Sequence, residues 1–125
     1  MSEYKYYIAG PMTGIPYFNF PAFDKAKRYI EDNLAQNEIF SPADHDRSLL
    51  GKPNDWLPLP KDSTENWKSW AIPNAPELRQ MLGDDLSWIA KNATDIYMLK
   101  GWENSRGAGA EWALARALGL RFHYQ

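Results

Sequence analysis

Short β-rich runs alternate with helix-spaced apolar patterns along the chain, and this alternation is the strongest constraint on its fold. "YKYYIAG" (Tyr4 to Gly10) is stopped by Gly10-Pro11, and "EIFSPAD" is ended by Pro42. "TDIYMLK" is a third strand and "LRFHYQ" a final one. Between them lies a helical pattern from about Pro21, with Phe23, Ala26, Lys27 and Ile30 at helix spacing. A second helix runs from about Pro76 to Lys91 and a third from Ala108 to Leu118. Strands separated by helices predict an α/β domain of three layers. Its sheet is mostly parallel, of about four to five strands, with helices on both faces.

Ligands of such Rossmann- or flavodoxin-like sheets bind beyond the carboxyl ends of the strands. The loops "GPMTG", "PADHD" and "GWENSRG" all leave strand carboxyl ends, so they are expected along one edge. The stretch from Asp44 to Ala75 is rich in Pro, Trp, Asn and Asp and lacks a period, which predicts a long irregular insertion. Its aromatics, from Trp56 to Trp70, read as cover for the flank of the core.

At 125 residues the chain is one compact domain with room for a hydrophobic core. A net charge of -2 gives no broad footprint for a nucleic acid polymer or an anionic membrane. With no cysteine, disulfides and thiolate chemistry are excluded. No targeting leader or spanning segment is legible, so the expected address is the cytoplasm.

Three residues resist an ordinary reading. Asp85 falls on the apolar stripe of Leu78, Met81, Leu82 and Ile89, whereas Asp84 lies off it and reads as a solvated acid. A carboxylate on a buried face is paired, hydrogen-bonded or functional, although Asp85 at the stripe's edge could also cap a loop. Glu111 follows Gly107 and Gly109 in "SRGAGAE", read as the first turn of a helix. There the amides attract anions and the helix dipole favours an ionised acid, as a carboxylate nucleophile requires. Acids are also simply common in first turns, and pattern alone favours that explanation. Tyr7 shares a strand face with Ala9, near the carboxyl end, where it either packs or reaches the edge.

Other signals are weaker. "ADHD" (Ala43 to Asp46) matches no metal motif and reads as a solvated loop. "GPMTG" is neither a Walker nor a dinucleotide fingerprint, and no GxSxG elbow occurs.

"YYIAGPMTG…NFPAF" together with "DIYMLKGWENSRGAGAEWALARALG" closely resembles a family of short phage and prophage proteins of unassigned function in the nucleoside 2-deoxyribosyltransferase-like group. The resemblance covers roughly residues 4–42 and 76–124. It implies a homo-oligomeric α/β protein that breaks the N-glycosidic bond of a deoxynucleoside or deoxynucleotide. By the same resemblance Glu111 is the nucleophile, Tyr7 contacts it, and Asp85 handles the base or sugar. The nucleosides' transferases carry an Asp where Ser105 stands, while the branch hydrolysing deoxynucleoside 5'-monophosphates carries a Ser. Ser105, Arg106, Gly107 and Gly109 then form a phosphate cradle, and Gly10, Pro11 and Met12 complete the ligand loop. The expected partner is a small-molecule nucleotide, with no metal or organic cofactor.

The 44–75 insertion departs from the group. So does a chain that ends at Gln125, where the transferases take a further residue from a neighbouring subunit's C-terminal region. Two other functions compete: a non-catalytic nucleotide- or signal-binding phage protein, and a partner-binding protein that docks through its Trp-rich segment.

Overall fold

The computed structural model describes residues 3–12, 15–57 and 75–125, and for Pro16 and residues 75–78 the backbone alone. Strands β1 (Lys5–Ala9), β2 (Glu38–Phe40), β3 (Asp95–Met98) and β4 (Arg121–Tyr124) form one sheet in the order β2-β1-β3-β4. All three pairings are parallel. Helices α1 (Phe20–Asn33), α2 (Pro42–Leu49), α3 (Ala75–Asn92) and α4 (Arg106–Leu118) connect them. The predicted three-layer parallel α/β architecture is the one observed.

Period-2 alternation in β1 divides the core between the two faces. Tyr6 and Ile8 pack with Phe23, Ala26 and Ile30 of α1 and Ala43 of α2. Tyr7 and Ala9 face the other way, onto Ile89 of α3 and Ala115 of α4. Because β2 and β3 lie on opposite sides of β1, the chain reverses direction across the sheet between β1 and β3. Crevices open beyond the carboxyl ends at such a reversal.

The loops flanking that point are packed closely. A Cβ on Gly10 would lie 2.7 Å from Leu99 Cβ and Cδ1, so only glycine lets the two loops approach. Gly101, at φ 87°, brings the second loop back against Pro11. Past β1, Tyr17, Phe18 and Asn19 all take left-handed backbone, and Asn19 Nδ2 donates to Pro11 O at 2.9 Å.

One expectation about the fold is overturned. Residues 42–49, read as irregular loop, form α2. Pro42 ends the strand but also occupies a first-turn position, where its missing N–H costs the helix nothing. The buried positions of α2 beyond Pro42 are Ala43, Asp46 and Arg47, at helical spacing but mostly charged, so no apolar period marks them. Trp56 covers the α1-side core as expected, whereas Trp67 and Trp70 lie outside the described residues. Among the described residues no helix is long and apolar enough to cross a membrane.

Candidate active site

Tyr7, Asp85 and Glu111 come together on the α3–α4 side of the sheet. Tyr7 is fully buried, and its hydroxyl donates to Glu111 Oε2. Glu111 reaches it because it lies on the inward stripe of α4 with Ala108 and Ala115, not because it starts the helix. The helix begins at Arg106, which places Glu111 in the second turn, and no acid occupies the first. The expectation of dipole support for its charge therefore fails, since that effect fades beyond the first turn. Burial instead pushes the Glu111 carboxyl up to about 8, helped by the charges of Asp85 and Asp46 and opposed by the Tyr7 hydrogen bond.

Asp85 is buried on α3, as its place on the stripe predicted, with Met81 and Leu82 half-buried and Ile89 fully buried beside it. The side chain of Leu78 lies outside the described set. Burial raises the Asp85 carboxyl to about 7, against the pull of His45 and the Tyr7 hydroxyl. Its Oδ1 is buried, with no hydrogen-bond partner among the described residues. A buried acceptor in that state demands a proton of its own or a donor from a ligand.

Sequence reasoning missed a fourth member. Asp46, in the stretch read as a solvated loop, is 9% exposed and lies close enough to Asp85 for the two charges to repel. Desolvation first, and Asp85 second, raise its carboxyl to about 8. Its neighbours on α2 account for the rest of "ADHDR". Asp44 accepts from Lys27 at 2.8 Å, and His45 stacks obliquely on Phe40 and faces Asp84 at 3.4 Å. Asp84 is thus a half-exposed partner of His45 rather than a wholly solvated acid. Arg47, fully buried, forks onto both oxygens of Asp24 at 2.9 and 2.7 Å and donates to Trp56 O. The only sequence signal for Asp46 was its spacing of three from Ala43, visible once a helix is assumed.

Aromatic rings wall this cluster. Tyr7 stacks on Phe40 with centroids 5.4 Å apart, and Trp88 lies 5.0 Å from Phe40. Tyr7, the partner of Glu111, thus belongs to a group of packed aromatic rings. Among the described residues no group of His, Cys, Asp or Glu is arranged to hold a metal ion.

The expected phosphate end lies at the start of α4. Ser105 is its N-cap, with the hydroxyl accepting from the Ala108 amide at 3.2 Å. The Gly109 amide donates to Ser105 O at 2.9 Å, so the helix itself uses it. The amides left over in the first turn are those of Arg106 and Gly107, and the Arg106 side chain is exposed beside them. From Ser105 to Glu111 the helix rises about 9 Å. Gly10 is explained by its packing on Leu99, and Met12 leans on the α1-side core. Thr13 and Gly14 lie outside the described residues.

Comparison with known proteins adds one likeness. The family profile described as a domain of unknown function (DUF4406) matches residues 67–124. That span carries Asp85, Ser105 and Glu111, whereas Tyr7 and Asp46 lie outside it. No curated protein and no solved structure matches the chain.

Proposed function

We propose that this chain cleaves the N-glycosidic bond of a deoxynucleoside 5'-monophosphate through a glycosyl-enzyme on Glu111. The observation that carries the reading is the hydrogen bond from buried Tyr7 to Glu111, set among further buried acids at the sheet's carboxyl edge. A carboxylate aimed and partly stabilised by one phenol, with a second carboxyl beside it, is what a retaining glycosyl transfer requires. Ionised Glu111 attacks C1' and the bond to the base breaks. Asp85, with its proton, supplies the departing nitrogen. Water, or a second base, then attacks C1' and releases Glu111.

Ser105 and the amides of Arg106 and Gly107 would receive the 5'-phosphate at the helix start. The rise from there to Glu111 suits a deoxyribose 5'-phosphate once contact distances at both ends are counted. To test the reading, the protein is incubated with each deoxynucleoside monophosphate and free base is measured. Release is expected for at least one of them, and its persistence in Glu111→Ala would eliminate Glu111 as nucleophile.

One observation favours a second reading. With its carboxyl raised to about 8, Glu111 leans to the neutral form at pH 7. A neutral Glu111 suits a pocket that holds a nucleotide or nucleotide-like signal without cleaving it. Thermal stabilisation by a nucleotide that is recovered intact would select this reading over the enzyme.

A further inference from the structure

The hydroxyl that aims Glu111 belongs to a ring whose own placement depends on the neighbouring strand. In the parallel pairing of β1 with β2, Tyr7 lies opposite Phe40, and both side chains stand on the same face of the sheet. Their rings stack, with centroids 5.4 Å apart and planes within 18° of parallel. Phe40 also meets Trp88 of α3 at 5.0 Å and His45 of α2 at 5.3 Å. Trp88 reaches Tyr7 as well, at 6.3 Å. Because β2 is an edge strand, Phe40 fills the side of Tyr7 that faces the sheet edge, while Glu111 meets Tyr7 from α4. Two χ1 rotamers are common for a side chain in a strand, and packing selects between them. A change of rotamer carries a tyrosine hydroxyl by several ångströms, out of reach of a fixed acceptor.

We infer that Phe40 is a positioning residue: its ring, braced by Trp88 and His45, holds Tyr7 in the rotamer that brings the hydroxyl to Glu111. The consequence in turnover rests on the glycosidase reading; the packing does not. Phe40 has no polar group with which to bond Glu111, so what it does for the nucleophile passes through Tyr7. That makes the two residues one device, and removing either should have the effect of removing both. A shift of about 1 Å in such a group is enough to cost a reaction up to about a hundredfold. The site thus reaches as far as β2, the three-residue strand at the sheet's edge, where Phe40 is only half-buried.

Two measurements separate this device from the reaction it would serve. The first needs no activity. The side-chain carboxyl carbon of Glu111 is titrated by NMR in the wild type, Tyr7→Phe, Phe40→Leu and the double variant, with Glu111→Gln to assign the signal. Tyr7→Phe removes a bond that favours the charged form, so the midpoint rises. Phe40→Leu should raise it by at least about half as much, and the double variant no further than Tyr7→Phe alone. Phe40→Tyr, which keeps the ring, should restore the wild-type midpoint. Asp85 and Asp46, the other charges acting on Glu111, are the same in every variant. A midpoint that Phe40→Leu leaves unmoved or lowers, or an effect that adds to that of Tyr7→Phe, overturns the inference whatever the protein catalyses. Should Phe40→Leu unfold the edge strand, Phe40→Met, nearer in volume, takes its place.

The second measurement is kinetic. Near neutral pH, Phe40→Leu should slow base release by about three- to tenfold, in kcat more than in KM. In the Tyr7→Phe background the same change should cost less than about twofold. Equal losses in the two backgrounds would mean that Phe40 only supports the fold, and the positioning role would be lost. A wild type that releases no base from any nucleotide removes the glycosidase reading and with it the role of Phe40 in turnover; the titration still decides whether Phe40 sets Tyr7.

Discussion

The two ends of the same sheet hold buried aspartates that behave in opposite ways. At the amino end, Asp95 of β3 is 1% exposed yet its carboxyl is held below the ordinary range. Burial pushes it up, but Thr94, His123 and Arg121 together pull it further down. Arg121 donates from Nε and Nη2, and His123 Nε2 lies 2.8 Å away. At the carboxyl end, Asp46, Asp85 and Glu111 are 5% to 9% exposed and rise to between about 7 and about 8. Burial alone therefore does not set the charge of an acid. The donors supplied to it do, and among the described residues the carboxyl edge supplies chiefly the Tyr7 hydroxyl. Asp95 ties the edge strand β4 to β3, while the other three acids are pushed toward their neutral forms.

The largest test of this contrast exchanges activity for stability. Glu111→Gln is expected to lower base release by roughly 10³-fold or more while leaving the melting temperature equal or higher. Asp95→Ala should do the reverse, lowering the melting temperature by roughly 5–10 °C with residual activity wherever the fold survives. If both variants lost stability alike, the carboxyl-edge acids would be structural too.

Stability should respond to pH from both ends. The three site carboxyls have raised midpoints, so what they contribute is fully present below about pH 4 and lost as pH rises through 7 and 8. Asp95 is lowered, so its contribution is present above about pH 4 and lost as pH falls through its folded value. Thermal melts from pH 3 to pH 9 should show Asp46→Asn gaining a few degrees on the alkaline side alone. Asp95→Asn should flatten the acid side instead.

Tyr7→Phe removes the hydrogen bond that, among the described residues, favours the charged form of Glu111. The rising limb of the pH–rate profile should move upward, with about a tenfold loss near neutral pH. An unshifted limb would detach Tyr7 from the ionisation of Glu111.

The smallest effects separate two glycines. Gly10→Ala meets Leu99 and should cost about 1–3 kcal/mol of stability in chemical denaturation. Gly109→Ala meets nothing within 4 Å and should gain up to about 1 kcal/mol from helix propensity. If Gly109→Ala also weakens nucleotide binding, that glycine is kept for a ligand and not for the fold.

Much of this was legible in the residues themselves. The alternation of strand and helix signals set the parallel sheet, and the period of β1 turned Tyr7 away from Tyr6. Asp85 announced itself as the acid on an apolar stripe. Glu111 was visible as a candidate for a mistaken reason, since its helix starts earlier than "GAGAE" suggests and its inward stripe matters more than its turn. Asp46 was hidden because α2 buries charge, and a hydrophobic period cannot register a buried face made of Asp and Arg.

Sequence by itself thus determined the four strands, the helices α1, α3 and α4 and the faces that Tyr7 and Asp85 take, because these follow from near-neighbour spacing. Only the tertiary structure decided the protonation of the four buried aspartate and glutamate side chains compared above. That property depends on donors brought from strands and helices far apart in the chain. At Asp95 the fold delivers Arg121 and His123; at Asp46, Asp85 and Glu111 it delivers chiefly one another.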